Sequence, residues 1–129
     1  MSEYAFSART RVGFSDTDAQ GVVYYGRYNP YFDLARVEYL RSLGLLHGGE
    51  FVMRANDVEY FAPARFDDEL DIHVRVARIG TTSITYEFAA YLADGTLAVT
   101  AHQTLVNIDS ATRRPVPVPD DFREKLGVG

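Results

Sequence analysis

The 129-residue chain is 47% hydrophobic and 24% charged, enough for one domain whose core buries roughly two thirds of the unfolded surface. Its net charge of −5 disfavours a nucleic-acid partner, because polyanion binding shows as basic excess. There is no cysteine, hence no disulfide framework or thiolate metal site, and no apolar stretch nears the ~20 residues that span a bilayer.

The start, "MSEYAFSART", lacks a basic segment followed by an apolar block, so the expected compartment is the cytoplasm. A first strand is predicted over Arg9 to Phe14, with Val12 and Phe14 on one face. The segment "FSDTDAQGVVYYGRYNPYF" follows, an acidic loop with Asp16, Asp18 and Gly21 running into an apolar strip, Val22 to Tyr25. Asn29 then suits a helix N-cap and Pro30 the first helical position. Asp33 complements the positive end of that helix, Arg41 the negative end, and Gly44 ends it. Phe32, Ala35, Tyr39, Leu40 and Leu43 line one face, and Tyr31, Leu34 and Val37 add apolar surface elsewhere, so the helix should be largely enclosed.

After Gly48-Gly49 the period changes to two. A strand from Val52 to Ala62 precedes Pro63. Leu70, Ile72, Val74 and Val76 then alternate with polar residues, as do Ile84, Tyr86, Phe88, Ala90 and Leu92. Gly80-Thr81 and Asp94-Gly95 are turn signals, the latter a hairpin signal. A last strand runs from Leu97 to Ile108. Pro115, Pro117 and Pro119 disfavour regular pairing, and Asp120 to Leu126 suits a final helical turn or two. The predicted class is α+β: one buried helix against a five-stranded antiparallel sheet, whose open edges favour a symmetric dimer.

The chemistry concentrates between Phe14 and Phe32. Peptide N–H groups at a helix start are unpaired and carry partial positive charge, so they can hold an oxyanion. A carboxylate beside them can attack a carbonyl or deprotonate water. The strip from Val22 to Tyr25 would wall such a site from water. Asp-Thr-Asp-Ala-Gln-Gly is equally a good loop, with aspartates bonding their own backbone. No metal set is formed by two acids and three scattered histidines, His47, His73 and His102.

"RVGFSDTDAQGVVYYGRYNPYFDLARVEYLRSLG" together with "VEYFAPARFDDELDIHVRV" resembles the 4-hydroxybenzoyl-CoA thioesterase family of hotdog-fold proteins, over residues 9 to 109. The resemblance implies a hotdog fold, a five-stranded antiparallel sheet wrapped around one long helix, with residues 1–129 forming a single thioesterase domain. It implies an acyl-CoA thioester hydrolase with no cofactor, its active site shared between subunits of a homodimer or a dimer of dimers. Asp18 matches the catalytic carboxylate, acting as nucleophile or through water. Tyr25 matches the position whose backbone N–H receives the thioester oxygen. Gly21 keeps the turn tight, Val22, Val23 and Tyr24 line the substrate site, and Asp16 orders the loop.

One departure is visible. The founding branch binds the coenzyme A phosphates with basic residues at the hairpin after the third strand, where this chain reads "ARIGTTSI" with Arg78 alone. Arg54, Arg65, Arg75 and Arg114 are the other candidates. Arginine supplies all but one of the 13 basic residues, either as base composition or to clamp phosphates. An acyl carrier protein substrate and a non-catalytic acyl-thioester binder are the alternative readings. The His/Asp arrangement of hotdog dehydratases is not seen. His47 reads as a solvated loop residue, and His73 and His102 as structural, His102 on a half-buried face. Glu59 matches no motif, and Arg36 and Glu38 suit surface or interface pairs. Tyr60, Phe61, Tyr86, Phe88 and Tyr91 could line an acyl pocket or fill the core.

Overall fold

Helix α1 (Tyr28–Ser42) lies across a five-stranded sheet of β1 (Phe6–Arg11), β2 (Phe51–Tyr60), β3 (Glu69–Ile79), β4 (Ser83–Leu92) and β5 (Leu97–Asn107). The computed structural model describes residues 5–127. The strands run in the order β1-β3-β4-β5-β2 with every neighbouring pair antiparallel, so β1 and β2 are the edges. This is the wrapped-helix arrangement expected from the sequence.

Alternation builds the sheet. Leu70, Ile72 and Val74 of β3 and Ile84, Tyr86 and Phe88 of β4 point inward and are buried. Register shifts at Met53/Ala55, Val76/Arg78 and Ala90/Tyr91 add local twist, which helps the strands curl round α1. Phe32, fully buried on α1, packs 5.1 Å from the Phe88 ring, and Tyr39 stacks 5.6 Å from Phe6 of β1. Each such burial contributes about 1.5–3 kcal/mol.

The helix ends as expected and begins otherwise. Gly44 adopts φ +73°, its N–H donates to Arg41 C=O, and Leu45 N–H donates to Leu40 C=O. This is a Schellman motif, with Leu45 buried. At the other end the N-cap is Arg27, not Asn29, because a 3-10 turn, Tyr25–Arg27, feeds the helix one turn early. The Asn29 side chain instead accepts a 3.0 Å hydrogen bond from Asn56 of β2. Pro30 sits third, where the missing N–H has no intrahelical acceptor to lose.

β1 also ends earlier than expected. Phe14 opens a 3-10 turn, Phe14–Asp16, and is 77% exposed, whereas Val12 is buried. Its ring meets Phe66 edge-on at 5.7 Å. The predicted C-terminal turns form α2 (Asp120–Leu126), whose Phe122 is buried beside Phe51. Arg123 ties α2 to the β3–β4 turn through the Gly80 and Thr81 carbonyls.

Candidate active site

Residues 17–23 form a small hairpin. Asp18 N–H donates to Val22 C=O at 2.9 Å, and Gly21 N–H donates to Asp18 C=O at 2.9 Å. Thr17 and Val23 are bridged. A three-residue loop closed this way needs a left-handed residue at its third position. Gly21 supplies it at φ +78°.

The two acids diverge. Asp18 stays on the hairpin and is exposed, with Oδ1 accepting from Gln20 N–H at 2.8 Å and more weakly from Val22 N–H at 3.5 Å. Among the described residues Oδ2 meets no donor. Asp16 turns toward the helix. Its Oδ2 accepts from the Tyr31 hydroxyl at 2.5 Å, its Oδ1 lies 3.6 Å from Arg27 Nε, and its carbonyl accepts from Tyr24 N–H. Burial, then the Asp16 hydrogen bond and charge, push the Tyr31 hydroxyl pKa well above its ordinary range. Asp16 therefore ties the loop, as expected, through a tyrosine that the sequence reads only as apolar helix surface.

The two sequence motifs meet here. Val23 N–H donates to Ala64 C=O at 2.8 Å, and Val22 is bridged to Arg65. The loop carrying Arg65 is set by its own acids. Asp68 accepts from Arg65 N–H at 2.8 Å, and Asp67, at φ +69°, donates its N–H to Val12 C=O.

The chain then enters the Tyr25–Arg27 turn and α1. Among the described residues, Tyr25 N–H has no acceptor. It lies at the positive end of the helical stack. Asp18, Val22, Val23, Tyr24 and Tyr25 together line a cleft of about 130 Å³. Val22, Val23 and Tyr25 also line a neighbouring cleft of about 220 Å³ walled by Tyr28, Tyr60 and Phe61. Tyr60 stands 4.7 Å from the Tyr25 ring and donates weakly to its carbonyl at 3.4 Å. The larger, 340 Å³ depression lies at the opposite end of α1, around Arg41, His47 and Asp121. That end presents carbonyls, not free N–H groups, so the smaller cleft is the better place to hold an oxyanion.

Of the site residues named from sequence, Asp18, Val22, Val23, Tyr24 and Tyr25 share one cleft, and Gly21 shapes the hairpin without lining it. Their expected enclosure is not found in the single chain: Val23 is buried, Val22 half-buried, and Tyr24 and Tyr25 are 60% and 69% exposed. The cause is that β2 and the loop after it stop at an open edge, so nothing among the described residues covers the strip. Tyr28 and Pro63 also line the second cleft and went unread, since nothing local marks them.

Elsewhere, His102 is half exposed and pairs with Glu87 at 2.7 Å, beside the 2.6 Å Arg75–Glu87 pair. Burial raises the Glu87 pKa, but hydrogen bonds and charge from Arg75 and His102 outweigh it, and the carboxyl lies below its ordinary value. Arg36 pairs with Asp33 and with buried Gln103, and Glu38 with Arg41. Among the described residues no three His, Asp or Glu side chains could hold a metal ion. No helix among them is long and apolar enough to cross a membrane.

The family model of the thioesterase-like superfamily matches residues 12–126. The chain is 34% identical to the acyl-CoA thioester hydrolase YbgC of Escherichia coli O6:H1, covering 92% of this chain and 93% of that one. It is 33% identical to the acyl-CoA thioesterase YbgC of Haemophilus influenzae, over 95% of each. A thioesterase from Thermus thermophilus, solved with coenzyme A and Zn, superposes with a TM-score of 0.86 at 29% identity, covering 95% of this chain and 98% of that one.

Proposed function

The chain belongs to the thioesterase-like superfamily, and on that premise we propose that it hydrolyses acyl-CoA thioesters in the cleft beside Asp18. The observation that carries the reading is that Asp18 and Tyr25 line one cleft, and that, among the described residues, Asp18 Oδ2 and Tyr25 N–H are both unengaged.

Sulfur donates little resonance to a thioester carbonyl, so a carboxylate suffices without a serine or a metal. Asp18 attacks the carbonyl carbon or takes a proton from an attacking water. The oxygen that becomes negative is received by the Tyr25 amide at the positive helix end. The C–S bond then breaks and coenzyme A leaves as the thiolate, which is reprotonated. With water as nucleophile the acid is released directly; with Asp18 as nucleophile the acyl–Asp18 anhydride is hydrolysed by water, which gives the acid and restores the carboxylate. Gly21 sets the hairpin that aims Asp18, and Val22, Val23 and Tyr24 flank the reacting group.

The working unit is a homodimer or dimer of dimers, the whole chain being one hotdog thioesterase domain acting in the cytoplasm without a cofactor. Two features support assembly. Among the described residues β2 pairs only with β5, leaving an open edge. Phe14, Tyr24, Tyr25, Tyr60, Phe61 and Phe66 are exposed around the same loops. A second protomer there would exclude water from Asp18. Acyl groups on carrier protein are the second reading, favoured by the β3–β4 turn, whose Gly80, Thr81, Thr82 and Ser83 carry no cation.

The test is thiol release from a panel of acyl-CoA thioesters beside the same acyl groups on carrier protein. Release from acyl-CoA supports the reading, and preferential release from carrier protein replaces its substrate. Tight binding with no release makes the chain a binder.

A further inference from the structure

Most basic side chains of this protein are committed. Arg9, Arg11, Arg27, Arg36, Arg41, Arg75 and Arg113 face carboxylates, and Arg123 and Lys125 bond backbone carbonyls. Among the described residues, the guanidinium groups of Arg54, Arg65, Arg78 and Arg114 have no such partner. Three of these, Arg54, Arg78 and Arg114, are bridged to no residue that lines the cleft, among the described residues. Arg78 is near the end of β3 and Arg54 near the start of the antiparallel β2, while Arg114 N-terminally flanks Pro115, which bridges back to Ile108. The nine steps from Glu69 to Arg78 alone span about 30 Å of strand.

Arg65 is at the cleft. It is bridged to Val22, a residue that lines both halves of the apolar opening. Opposed residues of an antiparallel pair send their side chains to the same face. The Arg65 stem therefore leaves the backbone on the Val22 side. Its peptide N–H and C=O are both held by Asp68, so the base of the side chain is fixed while its end is exposed. The carboxylates nearest in sequence are engaged: Asp68 by the Arg65 N–H, and Asp67 by Arg11 at 3.9 Å. An exposed guanidinium on a fixed backbone, with no internal anion and beside an apolar cleft, suits an external one.

We infer that Arg65 binds a phosphate on the pantetheine arm of the thioester substrate. The inference rests on the thioesterase reading of the cleft. A cleft of about 130 Å³ holds only the atoms around the thioester. Val22 is shared by this cleft and its neighbour, and an arm leaving past it meets Arg65, whose guanidinium can offer two parallel N–H donors to phosphate oxygens.

The test compares wild type with Arg65→Ala, which removes a guanidinium with no hydrogen bond or ion pair among the described residues, and Arg65→Lys. Free coenzyme A binding, measured by calorimetry, should weaken about tenfold or more in Arg65→Ala, the scale of one lost charge-assisted pair, and partly recover in Arg65→Lys. KM for acyl-CoA should rise alike, with kcat little changed, and the deficit should disappear with the acyl-pantetheine thioester, which has no phosphate. A deficit that persists with acyl-phosphopantetheine assigns the 4′-phosphate, shared by coenzyme A and carrier proteins; one that vanishes there assigns the nucleotide's phosphates. An unchanged coenzyme A affinity, or an equal deficit on acyl-pantetheine, overturns the inference. Because binding is read without turnover, coenzyme A held through Arg65 with no thiol release would fail the thioesterase reading alone.

Discussion

The hydroxyl of Tyr31 on α1 donates a 2.5 Å hydrogen bond to the carboxylate of Asp16, fifteen residues earlier in the loop that leads to Asp18. Through the Asp16 carbonyl the same residue holds Tyr24 N–H, and through its second carboxylate oxygen it faces Arg27. The bond thus connects the hairpin that carries Asp18 to the helix whose start carries the Tyr25 amide. Fixing the two relative to each other is what a preorganised oxyanion site requires.

Tyr31→Phe keeps the ring and removes the donor. Stability should fall by about 1.5–3 kcal/mol, the range for a hydrogen bond to a charged group. Urea denaturation reads the loss, and kcat should fall more than KM rises because the partners of the reaction lose alignment. Equal stability and equal kcat would show the bond to be idle.

Gly21 and Gly95 occupy the same place in two hairpins. In each, the glycine N–H donates to the carbonyl three residues earlier, and the loop is closed by a second bond, Asp18 N–H to Val22 C=O or Leu92 N–H to Thr96 C=O. Both have positive φ, +78° and +90°, and an added Cβ would meet nothing within 4 Å. Alanine at either position should cost about 1 kcal/mol through the left-handed backbone alone. Turnover should fall only in Gly21→Ala, since Gly95 lies on the β4–β5 turn. A matched fall in both variants would trace the loss to general instability.

Glu87 sits in a cross-strand row between Arg75 and His102. Its folded pKa lies below the ordinary 4.5, so the charged form favours the fold. That contribution is present above pH 4.5 and is lost as pH falls through the folded value. Glu87→Gln should lower stability near neutral pH, by on the order of 1 kcal/mol given partial exposure, and flatten the decline below pH 4.5. Urea midpoints from pH 7 to pH 3 for both proteins check this, and parallel curves would contradict it.

The succession of elements along the chain, the enclosed helix and its Gly44 stop are legible in the sequence because each rests on local pattern: period two, period 3.6, and a glycine where left-handed backbone is needed. The helix start is not. Asn29 has the composition of a cap, but its side chain is taken by Asn56, 27 residues on, and the turn at Tyr25 starts the helix first. Phe14 fits the alternation of β1, yet a 3-10 turn carries it out to Phe66. At the site, Asp18, Gly21 and the strip to Tyr25 are readable from their motif, and Asp18 and the strip share a cleft. The Tyr31–Asp16 bond and the Val22–Arg65 bridge are not, since both join segments whose approach is set by the fold. The openness of the strip is likewise invisible, because alternation and apolarity do not say which edge of the sheet will be left uncovered.

The most direct measurement is thiol release from acyl-CoA by Asp18→Asn, with folding checked by circular dichroism and a urea midpoint. The Asp18 side chain contacts only its own loop, so the fold should survive the change. Loss of a positioned acid–base group predicts a fall in kcat of at least ~100-fold with the protein intact. A well-folded variant that retains more than a tenth of wild-type kcat would show that the chemistry does not run through this carboxylate.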